Sequence, residues 1–327
     1  MTGAFRHIAT NGITLRARVA GEGPLVVLVH GFPESWAAWR HQIAPIAAAG
    51  FKVCAIDCRG YGGSDRPPEV TDYDLEQMMR DIVGVIDAEN GGEPAILIGH
   101  DWGAYLVWHT ALVHADKVRA VATLSVPFFG VSEVTLLDAV KPVYADQGRF
   151  FYQDYFQPVG VAEAEAEADL NQFVRRFYFW LAGEAPDGLG EDRLAGSRLL
   201  DGLPNPDPFP AWMGEEDIRY LVDEFARSGL YGPINRYRNW QRDIDFLTPW
   251  RGQSIRQPAF FIGGTRDIVL TMLPGVDMLA AMKALVPNLS GTLMLEGCGH
   301  WTQQERPHEV TGALVGWLKS LRAGGVM

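Results

Sequence analysis

The chain has 327 residues, 47% of them hydrophobic, enough for one large domain with a sizeable core or for a domain that carries an insertion. A net charge of −12 and a pI near 5.1 argue against nucleic acid and anionic membrane surfaces as partners, and the acidic excess favours neutral substrates. Three cysteines, an odd number, argue against a disulfide framework and for a reducing compartment, read as the cytoplasm; the first ten residues lack an apolar core of signal-peptide length, and no apolar run approaches the ~18 residues of a membrane span.

Residues 13–19 alternate apolar and polar and predict an edge strand. Residues 25–29 are continuously apolar, a strand buried on both faces, and end in His30-Gly31-Phe32-Pro33-Glu34-Ser35-Trp36. A helix is expected from Trp36 to Ala49, stopped by Gly50, and then a buried strand over 53–56. The glycines at 60, 62 and 63 fail the spacing of a dinucleotide fingerprint, and Pro67-Pro68 follows where a phosphate-binding helix would begin, so this is a structural loop. Residues 75–88 read as an amphipathic helix.

Residues 95–98 predict another buried strand, and 104–108 the start of a packed helix. Between them lies Gly99-His100-Asp101-Trp102-Gly103, a strand–turn–helix frame that pushes its middle side chain into the open. Serine is usual at that middle position; here it is Asp101. The helix runs to about His114, and 118–126 is a further strand. His109 and His114 are five apart and do not share a helix face as a metal pair would. Strands alternating with helices to this point predict an α/β fold with a doubly wound, mostly parallel sheet.

From about Phe128 to Phe246 the alternation gives way to helical patterns rich in aromatics and prolines. Leu170, Phe173, Val174, Phe177 and Leu181 form one stripe; Ile218, Leu221, Val222 and Phe225 form another, closed by Gly229. The acidic run 162–169 reads as a first helical turn favoured by the helix dipole, and Pro204, Pro206, Pro208 and Pro210 as an extended loop. Strands resume at 259–263 and 292–295, and the last helix spans 307–321. The chain thus divides into an α/β core, 1–127 with 247–327, and an inserted helical lid or cap, 128–246, placed to cover the site.

Functional residues of a doubly wound sheet gather beyond the C-terminal ends of its strands. Those ends deliver His30-Gly31-Phe32-Pro33, then Asp101, then Gly264-Thr265-Arg266-Asp267, then Gly297-Cys298-Gly299-His300-Trp301. The order is nucleophile, acid, histidine, as in α/β-hydrolases. The rival reading of Asp267 is a helix N-cap. The rival acid position, after the strand 118–126, reads Pro127-Phe128-Phe129-Gly130 and has no acid before Glu133. His100 points away from the nucleophile by strand alternation and reads as structural.

A carboxylate that attacks an acyl carbon forms an anhydride and gains little. One that attacks a saturated carbon displaces a leaving group and forms an alkyl ester. Water, activated by His300 as base and oriented by Asp267, can then cleave that ester at the Asp101 carbonyl, with the backbone N–H groups of Trp102 and Phe32 placed to hold the oxyanion. An epoxide oxygen leaves as an alkoxide and needs a proton donor, for which neutral tyrosine is suited. Composition does not choose among Tyr144, Tyr152, Tyr155, Tyr178, Tyr220, Tyr231 and Tyr237 of the insertion.

These residues resemble the soluble epoxide hydrolases of the α/β-hydrolase superfamily, including the hydrolase domain of the mammalian soluble enzyme. The resemblance rests on residues 30–36, 99–103 and 297–303. In the insertion it rests on Tyr152-Gln153-Asp154-Tyr155-Phe156-Gln157 and Gly232-Pro233-Ile234-Asn235-Arg236-Tyr237-Arg238-Asn239. It implies Asp101 as nucleophile, His300 as base, Asp267 as orienting acid, Phe32 and Trp102 as oxyanion-hole positions, and Tyr152 with Tyr237 as the epoxide-polarising pair. It also implies a small, largely apolar epoxide as substrate, with no cofactor and no metal. The extra N-terminal phosphatase-type domain of the mammalian protein has no counterpart in these residues. A haloalkane or haloacid dehalogenase would share Asp101, His300 and Trp102, but the two tyrosines and Phe32 argue against it. A non-catalytic receptor need not retain the whole triad.

Overall fold

The computed structural model describes residues 4–273 and 275–326. Among them eight strands form one sheet: β1 (Ala4–Thr10), β2 (Ile13–Ala20), β3 (Leu25–Val29), β4 (Lys52–Ile56), β5 (Ala95–His100), β6 (Val118–Leu124), β7 (Ala259–Gly264) and β8 (Leu289–Leu295). Their order is β1-β2-β4-β3-β5-β6-β7-β8. The β1–β2 and β2–β4 pairs are antiparallel and the rest are parallel.

The parallel strands are buried on both faces, so their side chains sort by alternation. After helix α1 (Ile43–Ala48) come α2 (Leu75–Asn90) and α3 (Trp102–Val113), whose Met79, Ile82 and Leu106 join Val27, Val29 and Leu97 in one apolar layer. Val26, Leu28, Ile96 and Ile98 join the opposite layer with Trp39, Ile46, Leu314 and Trp317.

Three expectations are corrected. Residues 13–19 are not the edge: β1 pairs outside β2 across a turn at Asn11-Gly12, where both residues take positive φ (43° and 77°). The expected helix 36–49 is two pieces, a 3₁₀ turn Trp36–Trp39 and the α-helix Ile43–Ala48. Pro45 lacks an N–H and its ring conflicts with the carbonyl four residues back, so the α-helix begins only just before it. Strand 118–126 stops at Leu124 because Ser125 turns to φ 71°, aiming its hydroxyl at the carbonyl of His300, 2.7 Å away.

The segment between β6 and β7 carries the helices Val161–Ala168, Leu170–Trp180, Glu215–Ser228 and Trp240–Leu247, and both predicted stripes face its interior. The acidic run is more than a dipole effect, since each glutamate of helix Val161–Ala168 ties down a different strip. Glu163 pairs with Arg238, Glu165 accepts the backbone N–H groups of Leu199 and Leu200, and Glu167 accepts that of Leu230. Asp169 lies beyond the helix and caps the next one through the N–H of Gln172.

The helical segment is fastened to the sheet at buried contacts. Arg16 on β2 bridges Asp57 and Glu224 at 2.5 and 2.6 Å. Tyr178 donates to the carbonyl of Pro33, and Trp36 Nε1 donates to the Tyr220 hydroxyl. No helix among the described residues is long and apolar enough to cross a membrane. Cys54, Cys58 and Cys298 are buried free thiols.

Candidate active site

Asp101 stands at the turn from β5 into α3 with φ 53°. An aspartate at a helix start ordinarily caps its helix, but this backbone twist turns the side chain away and it makes no cap bond. The turn is so tight that a Cβ on Gly103 would lie 2.1 Å from the carbonyl oxygen of Val29. The carboxylate thus stands free above the strand ends.

Its Oδ1 accepts the Phe32 N–H at 2.8 Å. The Trp102 N–H is the first of α3 and has no acceptor within the helix. The carboxylate thus has one backbone donor on it, from Phe32, and a second backbone N–H, that of Trp102, next to it in the chain. Asp101 Oδ2 lies 3.4 Å from His300 Nε2, and His300 Nδ1 lies 3.1 Å from both oxygens of Asp267. Asp267 Oδ1 also accepts the Val269 N–H as an N-cap, so one side chain both caps the turn that follows and contacts His300.

Burial pushes the Asp101 pKa up, but the hydrogen bond and charge of His300, the charge of His100 and the Phe32 N–H outweigh it and hold it below the usual carboxylate range. Burial alone would lower His300; the charge of Asp267 and the contact with Asp101 reverse this and raise it well above the usual histidine value. The two shifts are coupled, so loss of the Asp101 charge makes the His300 proton easier to release.

Tyr152 and Tyr237 face each other across the cleft with ring centroids 6.0 Å apart. Tyr237 packs edge-on against both Phe32 and Trp102, at 5.2 and 5.1 Å. Phe32, Asp101, Tyr152, Tyr237 and His300 line one small cavity. Burial and the nearby Asp101 charge keep both phenols neutral by raising their pKa. The other candidate tyrosines are engaged elsewhere or line other space. Tyr155 donates to Glu165, Tyr178 to the Pro33 carbonyl and Tyr231 to the Pro68 carbonyl, Tyr220 meets Trp36, and Tyr144 lines a neighbouring cavity. A second, mostly apolar arm leaves the cleft past Trp102 and Tyr105 toward Phe129, Leu136, Ile244 and Leu247.

Sequence reasoning missed the layer beneath. Glu34 is fully buried and accepts from the Gly31 N–H, His100 Nδ1, Gln303 and Gln304. His100 does point away from the cleft, yet its Nε2 reaches the His300 carbonyl at 2.8 Å, so it joins the Phe32 loop to the His300 loop. Glu34 follows Phe32 by two residues, which was the one local signal for it. Arg236, beside Tyr237, is buried against Asp243 with its guanidinium 4.6 Å over the Trp102 ring. No group of three or more His, Cys, Asp or Glu among the described residues could hold a metal ion.

Residues 24–185 match the family model of the alpha/beta hydrolase fold. The chain is 41% identical to Epoxide hydrolase A of Mycobacterium tuberculosis, over 97% of each chain. It is 38% identical to Bifunctional epoxide hydrolase 2 of Rattus norvegicus, over 94% of this chain but 54% of that protein. Among solved structures, an epoxide hydrolase from an endophytic Streptomyces superposes with a TM-score of 0.92 at 42% identity, covering 98% of this chain and 96% of that one. Epoxide hydrolase A of Mycobacterium thermoresistibile gives 0.91 at 39%, covering 97% and 98%.

Proposed function

The chain belongs to the epoxide hydrolases of the α/β-hydrolase fold and hydrolyses epoxides, and from that premise we propose that it works in two steps through an alkyl ester of Asp101. The observation that carries this is one carboxylate held between the Phe32 N–H and His300, with the two tyrosines lining the same cavity.

In the first step an oxygen of Asp101 bonds to an epoxide carbon while that carbon's bond to the ring oxygen breaks. The ring oxygen takes a proton from Tyr152 or Tyr237. Asp101 is now a neutral ester, so His300 has lost one of the two carboxylate charges that raised its pKa. Its proton goes to the phenolate left by the first step, which restores the neutral tyrosine, and His300 becomes a base still oriented by Asp267. In the second step water gives a proton to His300 and its oxygen adds to the Asp101 carbonyl. The N–H groups of Phe32 and Trp102 hold the oxyanion; as it collapses, the bond from the Asp101 carbonyl carbon to the diol oxygen breaks, that oxygen takes the proton of the hydroxyl just added, and the vicinal diol leaves Asp101 as a carboxylate. Each such donor contributes roughly 100- to 1,000-fold in rate. Neither step calls for a metal or cofactor.

The segment 128–246 acts as a cap over a core made of 1–127 and 247–327. The apolar arm suits a small, largely apolar epoxide. The acidic surface and buried free thiols favour a cytoplasmic enzyme without nucleic-acid or membrane partners. A single turnover with excess enzyme in ¹⁸O-labelled water tests the scheme. The diol's new oxygen comes first from Asp101, so the product stays unlabelled; immediate label in the diol would mean direct attack by water.

A further inference from the structure

Gln153 follows Tyr152 on the short helix Tyr152–Tyr155 and is buried beside the cleft. Its Nε2 donates to the Tyr152 hydroxyl oxygen at 2.8 Å, and its Oε1 accepts the indole N–H of Trp240 at 3.0 Å. An indole nitrogen only donates, so Trp240 fixes which end of the amide faces it. The NH₂ group is left facing Tyr152 and has to be the donor there. Trp240 is itself braced against Trp102, with ring centroids 5.0 Å apart.

We propose that the Trp240–Gln153 pair sets the direction of the Tyr152 proton and makes Gln153 a positioning residue for ring opening. This rests on the reading of Tyr152 as a proton donor. The Tyr152 oxygen already accepts one N–H, so its own O–H turns away from Gln153. The hydroxyl also meets that of Tyr237, in a bond that lowers the Tyr152 pKa and so makes Tyr152 the acceptor there too; among the described residues no group accepts its proton, which leaves it for the epoxide oxygen. As the O–H bond breaks and the proton moves to the ring oxygen, negative charge grows on the phenol oxygen. The Gln153 N–H then becomes a charge-assisted donor, stronger than in the ground state. Gln157 holds the arrangement together, since its side-chain amide donates to the carbonyls of both Gln153 and Tyr237, at 2.8 and 3.1 Å.

The experiment follows ester formation in single turnover. Gln153→Leu should slow alkylation about tenfold, the scale of one hydrogen bond to a developing charge. In a Tyr152→Phe background, where Tyr237 still donates, the same substitution should cost nothing further. Trp240→Phe keeps the ring, loses the N–H and should show a smaller loss that also vanishes in that background. Gln153→Glu adds a pH signature. Its ionised carboxylate accepts the Tyr152 proton and suppresses alkylation, and activity should rise as pH falls and the new carboxyl protonates. The titratable groups that act on Tyr152 are Asp101 and Tyr144 through their charge and Tyr237 through a hydrogen bond. A native rate for Gln153→Leu, a full additional loss in the Tyr152→Phe background, or a Gln153→Glu profile parallel to native would overturn the inference. An unaffected rate in Tyr152→Phe alone would overturn instead the reading of Tyr152 as donor.

Discussion

Replacing Gly31 with alanine measures how tightly the nucleophile is held. A methyl group there would lie 2.3 Å from Asp101 Oδ1 and 2.4 Å from Asp101 Cβ. Ordinary carbon–oxygen contact begins near ~3.3 Å, so the oxygen has to retreat by about 1 Å. Gly31 is not among the residues with positive φ, so its φ does not oppose the change. The three nearest atoms all belong to the Asp101 side chain, but one of them is its Cβ, which only the backbone can move, so the turn that carries Asp101 has to shift together with the carboxylate. Asp101 has little freedom to yield, with Oδ1 on the Phe32 N–H, Oδ2 near His300 and a backbone φ of 53°. A displacement of about 1 Å at a reacting atom can cost about 100-fold in rate. Alkylation should slow by about that factor while the protein still folds. Rapid-quench single turnover, with intact-protein mass spectrometry of the ester, gives the rate, and circular dichroism checks the fold. A native alkylation rate in folded Gly31→Ala would refute the claim that this fixed geometry sets the rate.

Asp101→Asn removes a charge and an acceptor that help keep His300 protonated, leaving burial and Asp267 to oppose each other. The His300 imidazole should titrate at lower pH than in the native protein, as read by NMR; an unchanged titration would contradict the charge coupling. The same sign governs stability. The contribution of protonated His300 is complete below the unfolded value of ~6.5 and is lost as pH rises through the raised folded value, so in the variant the contribution is smaller and its loss is complete at lower pH. Arg16→Met leaves Asp57 and Glu224 buried without their shared partner. It should lower unfolding free energy by about 3–5 kcal/mol in urea titration, whereas a loss under ~1 kcal/mol would show that the helix Glu215–Ser228 is not anchored there.

The elbow and the ends of β3, β5, β7 and β8 were legible because a parallel sheet aligns its C-terminal ends, so sequence order alone lays Phe32, Asp101, Asp267 and His300 side by side. β1 was not read as a strand because only Ile8 and Thr10 of it are buried, which leaves little alternation, although the Asn11-Gly12 turn pointed to a partner. The break in helix 36–49 was carried by Pro45. Glu34 and Gln153 gave no comparable signal. Their partners, His100 and Trp240, lie 66 and 87 residues away, and such pairings exist only once the chain has folded.

Two of the glutamates on the helix Val161–Ala168 grip main-chain amides, those of Leu199, Leu200 and Leu230, and an amide is present whatever side chain it carries. Any residue but proline can be held this way. The stretches gripped by these carboxylates can therefore drift, or be transplanted from a homologue as a graft, without loosening their moorings. Variety in these stretches and constancy of the scaffold that holds them are compatible because the clamp does not read sequence.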